Sequence, residues 1–130
     1  MTVVDTSVII DYLAGVDDVI RWVDRQESLL TSSVCVYEVL EGEVFGPGRT
    51  DIYQARQEFS RVQSLEFNET LAMEAARLQS ELQAEGETLA ARDVMVAATA
   101  RSTGDMLAVA DSDFQTELLE GLVDVVNLRD

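Results

Sequence analysis

Short apolar runs alternate along the chain with longer stretches in which apolar residues recur every three or four positions, which predicts strands and helices in turn. Val3-Val4 reads as a short buried strand, and Val8-Ile9-Ile10-Asp11-Tyr12-Leu13 begins a helix that stops near Gly15. A second helix is expected from Asp18 to about Gln26, with Val19, Ile20 and Val23 facing inward. Leu29 to Ser32 suits a second strand, and a helix follows from about Ser33 to Val44. Phe45-Gly46-Pro47-Gly48, the one concentrated breaker signal, separates it from a helix over about Thr50 to Arg61. A third strand near Val62 to Leu65 precedes the clearest amphipathic segment. Asn68 can cap this segment, and Leu71, Ala75, Leu78 and Leu82 form its stripe until Gly86. A helix from about Ala91 to Thr103, stopped by Gly104, leads to a fourth strand at Met106 to Val109 and a fifth at Val123 to Val126. This alternation implies an α/β sandwich around a central, mostly parallel five-stranded sheet flanked by helices. No repeat or linker divides the chain, so a single domain over residues 1–130 is expected. In such sheets ligands bind beyond the carboxyl ends of the strands.

Composition then narrows the chemistry. The 25 acidic residues outnumber the 9 basic ones, for a formal net charge of -16, and every basic residue is Arg. Without His there is no Ser–His–Asp triad, no Cys–His dyad and no imidazole metal ligand. Without Lys there is no P-loop lysine, Schiff base or lysine general base. A metal site must therefore be built from oxygen, which favours Mg²⁺ or Mn²⁺ over Zn²⁺. The single cysteine, Cys35, lies in the apolar run Val34-Cys35-Val36 with no base to activate it, and reads as a structural residue of an intracellular, cytoplasmic protein. The start of the chain has no basic n-region of a signal peptide, and no apolar run approaches the roughly 20 residues needed to span a bilayer. Arg in place of Lys, with acids scattered throughout, resembles the proteins of salt-loving archaea. At molar salt the Debye length is about 3 Å, so the self-repulsion of such a solvated acidic shell is screened.

Four acids fall near the expected binding edge. Asp5 ends the first strand, Asp111 follows the fourth, Glu38 sits a turn and a half into the helix after the second, and Asp93 lies in the first turn of the helix before the fourth. Gathered carboxylates repel one another and raise each other's pKa; a divalent cation removes that cost. Two such ions about 3.5–4 Å apart can activate water and stabilise the leaving oxygen of a phosphodiester. Each acid also has a structural alternative. Asp5-Thr6-Ser7 is a good helix cap, Asp93 suits a helix N-terminus, Asp111 and Asp113 suit Asx turns, and Asp11 reads as surface or capping. Phe114 reads as a core anchor, and Arg21 and Arg25 as ion-pair partners of Asp17, Asp18 and Asp24. Arg92, beside Asp93, is the better candidate for reaching a phosphate of such a phosphodiester.

The segment Val3-Val4-Asp5-Thr6-Ser7 through Leu13 resembles the opening block of a PIN domain. Thr31 to Gly42 resembles the second block, with Glu38 as its acid. Arg92-Asp93-Val94-Met95-Val96-Ala97-Ala98-Thr99-Ala100 resembles the third, and Asp111-Ser112-Asp113-Phe114 the fourth. Order, spacing and length agree over essentially the whole chain, and the compact form is most similar to VapC-like toxins. The resemblance implies a PIN-like three-layer sandwich and a Mg²⁺/Mn²⁺-dependent endoribonuclease with one or two ions held by Asp5, Glu38, Asp93 and Asp111, Asp113 being a further possible ligand and Ser7 a supporting hydroxyl. It also implies a homodimer neutralised by a small antitoxin protein. At one point the chain departs from the pattern, with Val109 where the family often has Thr. That departure keeps open an alternative, a weak or inactive PIN-fold interaction module. Haloacid-dehalogenase phosphatases and receiver domains both need a Lys that is absent here.

Overall fold

A computed structural model of the chain describes residues 1–111 and 117–129, the side chains of 117 and 118 excepted. The strands are β1 (Thr2–Val4), β2 (Leu29–Ser32), β3 (Val62–Leu65), β4 (Met106–Val109) and β5 (Val125–Asn127). The helices are α1 (Thr6–Leu13), α2 (Asp17–Asp24), α3 (Ser33–Val44), α4 (Ile52–Gln57), α5 (Glu69–Ala84), α6 (Ala91–Thr103) and α7 (Glu117–Leu122).

All five strands are parallel, in the order β3-β2-β1-β4-β5. β1 lies in the middle, with Val3 opposite Leu30 of β2 and Leu107 of β4. The chain steps outward from β1 to β3 and then returns across the sheet to β4. Right-handed crossovers then place α1–α4 on one face and α5–α7 on the other. Packing largely follows that division: α1 meets α2 and α3, α3 meets α4, and α5 meets α6 and α7, while α3 also meets α6 across it. A sheet covered on both faces has no solvated side, which is why all four residues of β2 are buried, Thr31 and Ser32 included. Thr31 Oγ1 donates to the Val4 carbonyl at 2.8 Å, so its burial leaves no polar atom unpaired. Connections leave β1 and β4 in opposite directions, which opens a crevice at their carboxyl ends.

β2, α3, β3, α6 and β4 have the expected bounds, and Gly104 stops α6 in the left-handed conformation at φ 71°. α4 is shorter than the expected 50–61. Beyond Gln57 the chain tightens into three-residue turns, Phe59 N to Arg56 O and Ser60 N to Gln57 O, and Phe59 becomes buried. Arg56 holds that tightened end, donating to the carbonyls of Phe59 (2.9 Å) and Val62 (2.8 Å) with its guanidinium 4.6 Å from the Phe59 ring centre. α7 was not expected, and it shifts the last strand. Val123 N bonds back to Leu119 O at 2.8 Å as a continuation of the helix, so β5 starts at Val125 rather than Val123. Asp11 is a further correction. It is buried, not a surface or capping group, and accepts from Arg129 Nε (3.0 Å) and Nη2 (2.8 Å), which ties the chain's end to α1. Arg21 pairs with Asp18 at 2.6 Å as expected. Asp113 and Phe114 lie outside the described residues.

Candidate active site

β1 ends at Val4, and Asp5 continues its ladder by one bond, Asp5 N to Ala108 O at 3.0 Å, before the chain turns into α1. With φ -88° and ψ 173°, Asp5 is the cap of that helix and accepts from the Ser7 amide. The Ser7 hydroxyl lies 3.0 Å from Asp5 Oδ1 and 2.9 Å from Oδ2, and its oxygen accepts from the Ala110 amide at 3.0 Å. One proton serves either carboxylate oxygen, so Ser7 orients Asp5 and also ties the end of β1 to the end of β4. The capping role and the site role of Asp5 thus coexist.

Asp5 is 5% exposed. Burial pushes its carboxyl up to about 6; the Ser7 bonds oppose the rise, and the charges of Asp93 and Asp111 add to it. Those two acids belong to the same cavity of about 240 Å³, lined by Asp5, Thr6, Ser7, Ile10, Glu38, Asp93, Val96 and Asp111. All four acids of the resemblance therefore line one cavity, each from a different element: the end of β1, α3, the first turn of α6 and the residues after β4. Asp111 is exposed, while Glu38 and Asp93 are half-buried.

Glu38 is held at both oxygens. Thr6 Oγ1 donates to Oε1 at 2.9 Å, and Arg92 Nη1 donates to Oε2 at 3.3 Å. Arg92 also approaches Glu41 Oε1 at 3.8 Å, and its guanidinium carbon lies 6.0 Å from the Tyr37 ring centre. The arginine expected to reach toward RNA thus rests on the acids of α3.

The donor set of the cavity is oxygen throughout, which fits a hard divalent cation. Among the described residues, no group of three acids is already drawn up to hold a metal ion. Cys35 is fully buried, and burial pushes its thiol up to about 11, which keeps it neutral and unreactive as the sequence suggested. Val109 is fully buried in β4 and does not line the cavity; the hydroxyl near that strand end comes from Ser7. Thr6 had no assigned role in the sequence, although it stands inside the Asp-Thr-Ser block. Ile10 and Val96 gave no chemical signal at all. No helix among the described residues is long and apolar enough to cross a membrane.

The family model for the PIN domain matches residues 2–116. No curated protein matches the chain at a significant level. Among solved structures, FitAcB from Neisseria gonorrhoeae is 25% identical with a TM-score of 0.80, over 98% of this chain and 98% of that one. VapBC-5 from Mycobacterium tuberculosis, a member of the VapBC family of toxin–antitoxin systems, is 27% identical with a TM-score of 0.69, over 99% and 98%. VapC20 from Mycobacterium tuberculosis, a toxin that cleaves the sarcin–ricin loop, is 18% identical with a TM-score of 0.69, over 88% and 92%, a likeness of fold.

Proposed function

The chain belongs to the PIN-domain family, and from that premise we propose that it is a divalent-metal-dependent endoribonuclease and the toxin of a type II toxin–antitoxin pair. One observation carries the reading: four carboxylates from four elements line a single cavity where the sheet's connections reverse. Asp5, Asp93, Asp111 and Glu38 would hold Mg²⁺ or Mn²⁺, as one or two ions. When bound, the metal supplies Lewis-acid charge at the scissile phosphate and makes the attacking water more acidic.

The protein's own groups prepare that chemistry. Ser7 fixes the orientation of Asp5 through its amide and hydroxyl. Because the Asp5 carboxyl titrates near 6, it carries a proton in mildly acidic solution and a charge above that, when it can attract a cation. Thr6 steadies the Glu38 oxygen it holds. With neither His nor Lys in the chain, proton transfer must run through carboxylates and water. The toxin assignment draws on VapBC-5, a member of a toxin–antitoxin family that is more than nine-tenths covered by its match to this chain. A small antitoxin and a second copy of the chain are the partners this reading implies.

Purified protein in high salt with Mg²⁺ or Mn²⁺ should cut a structured RNA, and Asp5→Asn should abolish the cut. Equal cleavage by the variant overturns the assignment. A wild-type protein that cuts no RNA leaves the inactive interaction module in its place.

A further inference from the structure

Glu38 faces two donors of different character. Thr6 Oγ1, on the helix that Asp5 caps, holds Oε1 at 2.9 Å. Arg92 reaches Oε2 through one nitrogen at 3.3 Å, and its contact with Glu41 is longer still at 3.8 Å. Its side chain is 52% exposed. A half-exposed, single-nitrogen pair contributes little stability, so this arrangement is cheap to undo. It lacks the two-pronged geometry in which a guanidinium binds carboxylate or phosphate most firmly. Arg92 also occupies the first turn of α6, immediately before Asp93, which lines the cavity. The side chain is thus anchored beside the reacting position but only loosely engaged.

We propose that Arg92 is an exchangeable counter-ion: it neutralises Glu38 and Glu41 in the free protein and transfers to an RNA phosphate when substrate arrives, releasing Glu38 Oε2 to the incoming cation. The proposal rests on the ribonuclease reading above. A cation approaching Oε2 repels the guanidinium, and a phosphate oxygen offers it a two-pronged acceptor in place of the single contact it leaves. Metal and RNA therefore bind more tightly together than separately, since each favours the same displacement. Arg92 acts on the metal through Glu38 and is in that respect a positioning residue. Tyr37, 57% exposed, lies on α3 with its ring centre 6.0 Å from the Arg92 guanidinium carbon.

Two titrations of the full chain test this, comparing wild type with Arg92→Gln, which keeps a polar side chain but no charge. Without RNA, Mn²⁺ binding followed by calorimetry should tighten several-fold in the variant, because the competitor for Glu38 is gone. A fluorescent single-stranded RNA oligomer in EDTA should bind several-fold more weakly to the variant, with a slope of log affinity against log salt shallower by about 0.7, the value of one phosphate contact. Arg92→Lys should restore part of the RNA affinity. Weaker Mn²⁺ binding in Arg92→Gln would show that Arg92 merely braces Glu38 and would overturn the exchange. Unchanged titrations in a protein that still cuts RNA overturn the exchange and leave the ribonuclease reading standing. A wild type that neither binds nor cuts RNA overturns both.

Discussion

Glu74 on α5 is half-buried and Asp5 at the end of β1 is buried, and the two acids meet opposite surroundings. Glu74 accepts from Arg101 Nε at 2.6 Å and from Arg77 Nη1 at 2.8 Å, and Arg101 also donates to Glu81. The Arg101 bond leads the effects that hold the Glu74 carboxyl below its ordinary range. Asp5 has only the neutral donors of Ser7; burial pushes its carboxyl up to about 6, and the charges of Asp93 and Asp111 add to the rise. A chain with a net charge of -16 has acids everywhere, and their number does not mark a site. What marks it is acids from four separate elements brought to one cavity by the fold. At the α5–α6 contact the acids join two helices; at the cavity burial disfavours the charged form of Asp5.

The strongest way to break that contrast is Asp5→Asn. Asn caps a helix as well as Asp does, so the fold survives, while metal-dependent RNA cleavage should fall by more than roughly 100-fold, beyond the usual loss for an outer-shell change. Single-turnover cleavage in Mn²⁺ measures it; retention of activity would mean that the gathered acids are structural after all. The same variant should be more stable than wild type in chelator at neutral pH. The sign follows from the carboxyl: its folded value near 6 lies above the ordinary carboxyl value of 3.8. The folded state therefore holds more protons between those two values, and stability drops as pH rises from about 4 to about 6 before levelling. At neutral pH the difference approaches about 3 kcal/mol. Chemical denaturation of both proteins across that pH range should show the drop in wild type and its absence in Asp5→Asn.

Ser7→Ala sharpens the comparison from the neutral side, since it removes the hydroxyl that orients Asp5 and leaves the Ala110 amide without its acceptor. Mn²⁺ affinity should weaken by about 10–100-fold, as for other outer-shell partners of a metal site. The smallest effect belongs to the paired acids. Arg101→Ala leaves Glu74 and Glu81 without that cation and should cost about 1 kcal/mol, seen as a Tm lower by a few degrees, with RNA cleavage unchanged. A loss of cleavage there would erase the distinction between the two regions.

Much of this was legible in the sequence because the signals were local. Asn68 capping α5, Gly104 ending α6 and the stripe Leu71-Ala75-Leu78-Leu82 each act within a few residues, and the structure keeps all three. The four acids could be placed at strand ends and early in helices for the same reason. The end of α4 was not legible, because its tightening depends on Phe59 entering the core and on Arg56 holding the carbonyls behind it. α7 was hidden by its shortness and by Gly121 within it, a poor helix former, although Leu118, Leu119 and Leu122 have helical spacing. Asp11 looked like a surface acid because its partner Arg129 lies 118 residues away. The rest of Arg92 on α3, rather than out toward solvent, depends likewise on a contact between residues 54 apart.

The bond from the Ala110 amide to the Ser7 hydroxyl spans 103 residues and joins the first strand to the fourth. A domain made from its N-terminus onward exposes β1 early, yet β1 has only β2 for a neighbour until β4 arrives to occupy its other side. Asp5 consequently waits through most of synthesis without the partner strand that completes its surroundings. A nascent chain already carrying Asp5, Glu38 and Asp93 is still without the β4 edge, and the cavity that these acids share with Asp111 takes shape only when the sheet closes.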